Sequence, residues 1–336
     1  MRRGGRIDSD PIECTCFRKP NCILETLAES FDGHITIALA AYNREDTIEE
    51  AVRSLLEQTY GNFDLFVVDD ASKDRTLDIL LDMLSEDRRL HVIELKENGG
   101  TYSAKNLVLK RFCRGEFYAH QDADDISWPR RLEAQVAFLR SHPEVAACGT
   151  GIDEFYKSDQ NKPGMRSSFN PEFNEADGFF HRKNLYEPII PQGLIDLPDN
   201  YVRGCLKICM NGSLLCRSEA VKKLGGFDGR TPIGADAELL VRLLLFYDLG
   251  NLQEILYSRR IHQSSLTQST QYGYQSSFRA NYFNQLFGKL ISLRPFLETG
   301  EMDKVLSAVC EDMYSKNTVY KIYHGDGGLT KSFATV

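Results

Sequence analysis

From Ile35 to about residue 155, short apolar runs alternate with segments of helical periodicity. His34–Ala41, Phe63–Val68, Leu90–Leu95 and Phe117–His120 are apolar and rich in β-branched or aromatic residues, as strands covered on both faces are. Ile48, Ala51, Val52, Leu55 and Leu56 share one helical face. Thr47, with Glu50 three residues on, reads as a capping box for that helix. Thr76–Leu84 and Thr101–Arg111 read as the next two helices. This alternation predicts a Rossmann-like, mostly parallel sheet flanked by helices. Ligands of such sheets sit beyond the carboxyl ends of the strands. Tyr42, Asp69, Asp70, Asn98, Asp122, Asp124 and Asp125 all fall there.

Pro129 opens a further helix reaching Ser141, and Val145–Phe155 reads as a strand. Residues 156–200 have no regular pattern and read as a functional lid or acceptor loop, or as a poorly ordered segment. Leu206–Arg217 and Leu252–Ile261 read as strands, Glu219–Leu224 and Ala235–Tyr247 as helices. Tyr274–Leu290 and Met302–Tyr323 read as helices of a C-terminal extension. The predicted organisation is an N-terminal extension (1–33), two halves of one α/β domain (34–155 and 156–270), and a C-terminal helical extension (271–336).

Composition narrows the functional classes. Forty Lys and Arg against 48 Asp and Glu leave a net charge of −8, which argues against a nucleic-acid partner. The densest apolar stretch, Leu239–Phe246, contains Arg242 and is too short to span a bilayer. The basic start (Arg2, Arg3, Arg6) lacks an apolar segment behind it, so no secretory signal is predicted. Nine cysteines suit free thiols in a reducing cytoplasm; Cys14, Cys16 and Cys22 cluster without a partner set at zinc-site spacing. The expected location is cytoplasmic, with peripheral contact at the inner face of the membrane left open, and no oligomeric state is implied.

The chemistry concentrates in a few places. Asp122 and Asp124 alternate on a strand end, an arrangement suited to a hard divalent ion that also binds phosphate oxygens. Asp69 and Asp70 end the second predicted strand, where a carboxylate can accept from a base N–H or a ribose hydroxyl. Asn98-Gly99-Gly100-Thr101 leads into a helix whose first amides favour anions, with Lys105 one turn in. Asp236 opens the Ala235–Tyr247 helix and is the candidate general base; Glu238 competes with it, and Asp228 is weaker. His262 follows a strand as a metal ligand, a diphosphate contact or a structural group.

In order and spacing these pieces resemble family 2 glycosyltransferases of the GT-A fold, from Ile35 to Thr267. The markers are Ala41-Tyr42-Asn43, Ser54–Tyr60, Val67–Ser72, Asn98–Thr101 with Ala104-Lys105-Asn106, Gln121–Asp125 as the D-x-D motif with Arg131-Leu132 behind it, Gly212-Ser213 through Asp228, and Asp236–Arg242. The resemblance implies an inverting transfer from a nucleotide-diphosphate sugar to an acceptor hydroxyl. Ala40 and Tyr42 would line the base, Asp70 would bind the uracil N–H, and Asn98 and Lys105 would lie near base and ribose. Asp122 would meet ribose or, through water, the metal. Asp124 would ligate Mn²⁺ or Mg²⁺, His262 would approach the metal or diphosphate, and Asp236 would be the base. The implied donor is a UDP-sugar carrying a hexosyl or N-acetylhexosaminyl group, and the implied acceptor a carbohydrate or glycolipid of surface polysaccharide synthesis. Two departures stand out: Lys105 occupies a position more often Arg, and Ala235 precedes Asp236 where an acidic pair is common.

Two other readings compete. A nucleotidyltransferase would carry a glycine-rich basic loop after the first strand, where this chain has Ala41-Tyr42-Asn43-Arg44-Glu45. A degenerate, non-catalytic module would have lost metal or base carboxylates, and all are present.

Overall fold

The computed structural model describes residues 32–156, 179–180, 211–262, 265–266, 269–273, 276–310, 320–325 and 332–333. The cysteines at 14, 16 and 22 and the proposed lid lie wholly or mostly outside them. The first elements follow the sequence pattern: β1 (Ile35–Ala41), α1 (Ile48–Leu56), β2 (Phe63–Asp69), α2 (Thr76–Met83), β3 (Leu90–Leu95), α3 (Thr101–Arg111) and β4 (Phe117–Asp122). β5 (Ile126–Ser127), α4 (Arg131–Ser141), β6 (Val145–Tyr156), β7 (Phe179–Phe180), β8 (Leu215–Arg217) and α5 (Ser218–Lys223) come next. α6 (Ala235–Phe246), β9 (Asp248–Ile261), α7 (Ser277–Thr299), α8 (Met302–Cys310), β10 (Tyr320–His324) and β11 (Ser332–Phe333) complete the order.

All described strands join one sheet, in the order β11-β10-β3-β2-β1-β4-β8-β6-β9-β5, with β7 on β9. β3, β2, β1 and β4 are parallel neighbours, so their carboxyl ends point the same way. Alternation along β1 feeds two cores. Ile35, Ile37 and Leu39 pack with α1, α2 and α4 residues such as Leu55, Leu80 and Leu132. Ala38 packs with Leu107 of α3, Leu240 of α6 and Phe283 of α7 on the other face. Burying each such leucine or phenylalanine contributes about 1.5–3 kcal/mol.

Three local expectations are corrected. Met302–Tyr323 is not one helix: α8 stops at Cys310, and Tyr320–His324 forms β10, antiparallel to β3. Tyr320 and Ile322 are buried there, a period of two that the open edge of β3 rewards with backbone pairing. Thr47 makes no side-chain cap on α1. Its hydroxyl instead donates to the Ala123 carbonyl at 3.0 Å, and Glu50 pairs with Arg260. The capping-box residues therefore tie α1 to the acidic loop after β4. Finally, the strand expected from Leu252 begins at Asp248, because β9 runs parallel to β6 over its whole length. Among the described residues, no helix is long and apolar enough to cross a membrane.

Candidate active site

A cavity of about 920 Å³ opens at the carboxyl ends of the parallel strands. Ala40, Tyr42, Asp70, Asn98, Lys105, Asp122, Asp124 and Asp236 all line it. The fold thus brings together residues almost 200 positions apart.

Two turns shape the base end. Asn43 and Ala71 follow β1 and β2 with left-handed φ of 51° and 62°, which turn the chain sharply out of the sheet. The turns interlock: Asn43 N–H donates to Ser72 Oγ at 3.0 Å and Lys73 N–H to Asn43 Oδ1 at 2.8 Å. Of the two carboxylates ending β2, only Asp70 reaches the cavity. Its Oδ1 accepts from Gly99 N–H at 2.7 Å and its Oδ2 from Gly100 N–H at 2.8 Å. Gly100 has φ of 89°, a conformation only glycine adopts cheaply, so the turn that grips Asp70 depends on it. Asn98 donates to the Asp70 carbonyl at 3.1 Å, so its amide also organises this corner. Asp69 turns away: Ser72 N–H caps its Oδ2 at 3.2 Å, and desolvation pushes its carboxyl above the usual range.

The acidic loop after β4 sorts its three carboxylates. Lys105, whose side chain is 4% exposed, donates to Asp122 Oδ1 at 3.0 Å. Desolvation works against the Asp122 charge, but that lysine outweighs it and holds the carboxyl below its ordinary value. Asp124 Oδ2 lies 2.8 Å from His262 Nε2 and 3.4 Å from Arg44 Nε. Asp125 is buried; Tyr257 OH donates to its Oδ2 at 2.7 Å and Arg260 N–H to its Oδ1 at 2.8 Å. Desolvation, then the charges of Asp122 and Asp124, push the Asp125 carboxyl well above the carboxylate range. Asp125, although it also lines the cavity, has both oxygens bound by β9 and so fastens the loop to that strand. Arg260 Nε adds a second fastening on the Asp124 carbonyl at 2.9 Å.

Asp236 stands in the first turn of α6, after Gly234 with φ of 84°. Its Oδ1 accepts from Tyr102 OH at 3.1 Å and from Ala237 N–H at 2.9 Å. Desolvation, then the Asp236 charge, push the Tyr102 phenol well above its ordinary value, so it stays a neutral donor. Tyr102 OH also accepts from Gly234 N–H at 3.1 Å, tying α3 to the start of α6. The competing carboxylates are consumed elsewhere. Buried Glu238 takes two hydrogen bonds of 2.6 Å from Arg242 Nε and NH2, and Asp228 is clamped by Arg230 at 2.8 Å.

Among the described residues, no three carboxylate, imidazole or thiolate groups converge as a ready-made metal centre. Asp124 and His262 nevertheless present an oxygen and a nitrogen on one spot, a donor pair that Mn²⁺ accepts when phosphate and water oxygens complete the shell. The residues present thus fit an ion shared with a ligand. The sequence reading misses Tyr102, Tyr257 and Arg260, each unremarkable in its own segment and each acting across more than 130 residues of sequence; Thr47 it reads only as a helix cap.

Comparison with known proteins agrees with this architecture. The profile of Glycosyl transferase family 2 matches residues 36–194. Glycosyltransferase EpsE of Bacillus subtilis (strain 168) is 32% identical over 233 residues, 67% of this chain and 72% of that protein. WfgD of Escherichia coli, a UDP-Glc:alpha-D-GlcNAc-diphosphoundecaprenol beta-1,3-glucosyltransferase, is 35% identical over 108 residues, 32% of this chain and 42% of its own. The solved structure of S. aureus TarS 1-349 in complex with UDP-GlcNAc matches with a TM-score of 0.53 at 20% identity, over 69% of this chain. This chain spans about 60% of that TarS structure, and the likeness carries the GT-A fold. With nearly three quarters of EpsE matched at this identity, the chain belongs to glycosyl transferase family 2.

Proposed function

We propose that this transferase moves a hexosyl or N-acetylhexosaminyl group from a UDP-sugar to a hydroxyl of a carbohydrate or glycolipid acceptor, with inversion. The observation that carries the reading is a single cavity lined by Asp70, Asp122, Asp124 and Asp236. Three of these carboxylates stand at the strand ends where a nucleotide lies in this fold class. The fourth comes from α6 and has one oxygen, Oδ1, immobilised by Tyr102 and Ala237. Asp236 then uses Oδ2 to take the acceptor proton as that hydroxyl oxygen attacks the anomeric carbon. The bond from that carbon to the diphosphate oxygen breaks as the new glycosidic bond forms on the opposite side.

The same cavity supports the reading of the donor end. Tyr42, 42% exposed, offers a face for the base, and the Ala40 backbone lies beside it. Asp70, on the cavity wall, accepts the uracil N–H. Asn98 and Lys105 flank base and ribose, and Asp122 meets the ribose hydroxyls. Asp124 and His262 would hold Mn²⁺ or Mg²⁺. When bound, such an ion stabilises charge developing on a departing diphosphate. UDP as the nucleotide is supported by WfgD's UDP-Glc donor and by TarS complexes with UDP and UDP-GlcNAc. A surface-polymer acceptor is supported by TuaG of Bacillus subtilis, a relative named for teichuronic acid biosynthesis, which is 34% identical over 131 residues. Such acceptors suit a cytoplasmic enzyme meeting the inner membrane face, with 34–155 as the donor half and 156–270 as the acceptor half.

Thermal melting with UDP, GDP and dTDP, with and without Mn²⁺, tests the reading. A ligand at about 100 times its Kd stabilises by about 2.7 kcal/mol. A midpoint rise with UDP that needs Mn²⁺ and vanishes in Asp124→Ala is expected. No rise with any nucleotide would refute the donor site.

A further inference from the structure

Arg44 is a cavity-wall cation to which the reading above gives no part. It follows Asn43, whose left-handed backbone turns the chain out of β1, and its own N–H is anchored on Thr76 Oγ1 at 2.7 Å. The side chain therefore leaves from a firm point. Its Nε stands 3.4 Å from Asp124 Oδ2, the oxygen that His262 also meets. NH1 donates to the Asn43 carbonyl at 3.1 Å. The other cations of the cavity wall have contacts of their own: Lys105 with Asp122, Arg260 with the Asp124 carbonyl and Glu50, Arg259 with Glu154 at 3.3 Å, and Arg279 over the Phe283 ring at 5.8 Å. Arg44 faces the one carboxylate that the proposed ion must use. A guanidinium and a divalent ion repel each other across a few ångströms, strongly where the site is partly closed from water, and the Arg44 and Asp124 side chains are only 24% and 16% exposed.

We infer that Arg44 is a counter-cation for Asp124 that a divalent ion displaces, and that the displaced guanidinium then grips the donor's diphosphate. This rests on reading the cavity as a nucleotide-diphosphate-sugar site. The planar fork of Arg matches two phosphate oxygens, and its firm attachment point keeps it at the cavity wall. Arg44 thus opposes the ion alone and favours ion and donor together. The two ligands become cooperative, and by linkage each tightens the other by the same factor. The acidic loop then holds little metal until a donor arrives.

The test is binding, not turnover. Mn²⁺ alone is titrated by electron paramagnetic resonance of the free ion, and UDP is titrated calorimetrically at saturating Mn²⁺. Wild type, Arg44→Gln, Arg44→Met and Arg44→Lys are compared, with melting curves as the check on folding. Both neutral variants are expected to bind Mn²⁺ alone about three- to tenfold tighter than wild type. Both should bind UDP with Mn²⁺ about tenfold more weakly, because a charged two-point contact is lost. Arg44→Lys should keep the wild-type Mn²⁺ affinity and still bind UDP more weakly. A merely structural arginine would never tighten Mn²⁺ binding when removed. Unchanged or weaker Mn²⁺ affinity in both neutral variants, with wild type still binding UDP, overturns the inference and leaves the donor site standing. Failure of wild type to bind UDP with Mn²⁺ overturns both.

Discussion

The two ends of the central sheet use the same residue type in opposite ways. At the amino ends of the strands, Asp64 is enclosed: His34 Nε2 reaches its Oδ2 at 3.1 Å and His91 Nε2 its Oδ1 at 3.2 Å. His91 Nδ1 then meets His324 Nδ1 at 2.9 Å, linking β3 to the edge strand β10. Both Asp64 oxygens are filled by side chains that reach nothing beyond the fold. At the carboxyl ends, Asp70, Asp122, Asp124 and Asp236 are oriented by fixed donors yet face a cavity. A carboxylate becomes structural when the protein itself saturates it, and functional when the protein orients it and leaves one side for something else.

Breaking that contrast at Asp236 should give the largest effect. Asp236→Asn keeps the shape and the Tyr102 contact but removes the base, so sugar transfer, read as initial UDP release in the presence of acceptor, should fall about 10²- to 10⁴-fold. UDP binding and the melting midpoint should barely move. Glu238 lies two residues on in the same helix but is buried against Arg242. Glu238→Ala should cost about 3–5 kcal/mol in urea unfolding by stranding that arginine, and activity should follow the folded fraction alone. A slowed chemical step in folded Glu238→Ala would reverse the two assignments.

The amino end sharpens the comparison through pH. Desolvation opposes the Asp64 charge, but the hydrogen bonds from His34 and His91 override it and bring its pKa down to about 2 from 3.8. A lowered folded-state pKa contributes stability above the unfolded value, lost as pH falls from about 4 towards 2. The shift corresponds to about 2 kcal/mol, so Asp64→Asn should lose roughly that much at neutral pH and flatten the acid limb of the stability curve. An unchanged acid limb would mean that the histidines do not secure this carboxylate. The smallest effect belongs to Thr47→Val, which removes the hydroxyl bond to Ala123: about 1 kcal/mol of stability, with Mn²⁺-dependent UDP binding weakened as the acidic loop loosens. Unaltered UDP binding would show that α1 does not hold the loop.

Much of this was legible beforehand, for local reasons. The apolar runs of β1 to β4 and the helical faces between them depend on neighbours a few residues away, and all appear where the pattern puts them. Tyr320–His324 was misread because a short alternating segment takes its state from the sheet edge it meets. Thr47 and Glu50 were misread because a good local motif lost to partners at Ala123 and Arg260.

Strand and helix periods and side-chain chemistry are local properties, and they suffice for the layered α/β architecture and for which side chains stand at the strand ends. Which carboxylates stay available is a matter of packing. Asp125 is absorbed by Tyr257 and Arg260, Glu238 by Arg242, and Asp69 by its own turn. Asp124 meets His262 from 138 residues away and Asp236 meets Tyr102 from 134. Glu238 and Asp69 are taken up by neighbours four and three residues on, but the states of Asp124, Asp125 and Asp236 depend on which distant donor arrives at each oxygen, and only the packed sheet brings those donors within hydrogen-bond range.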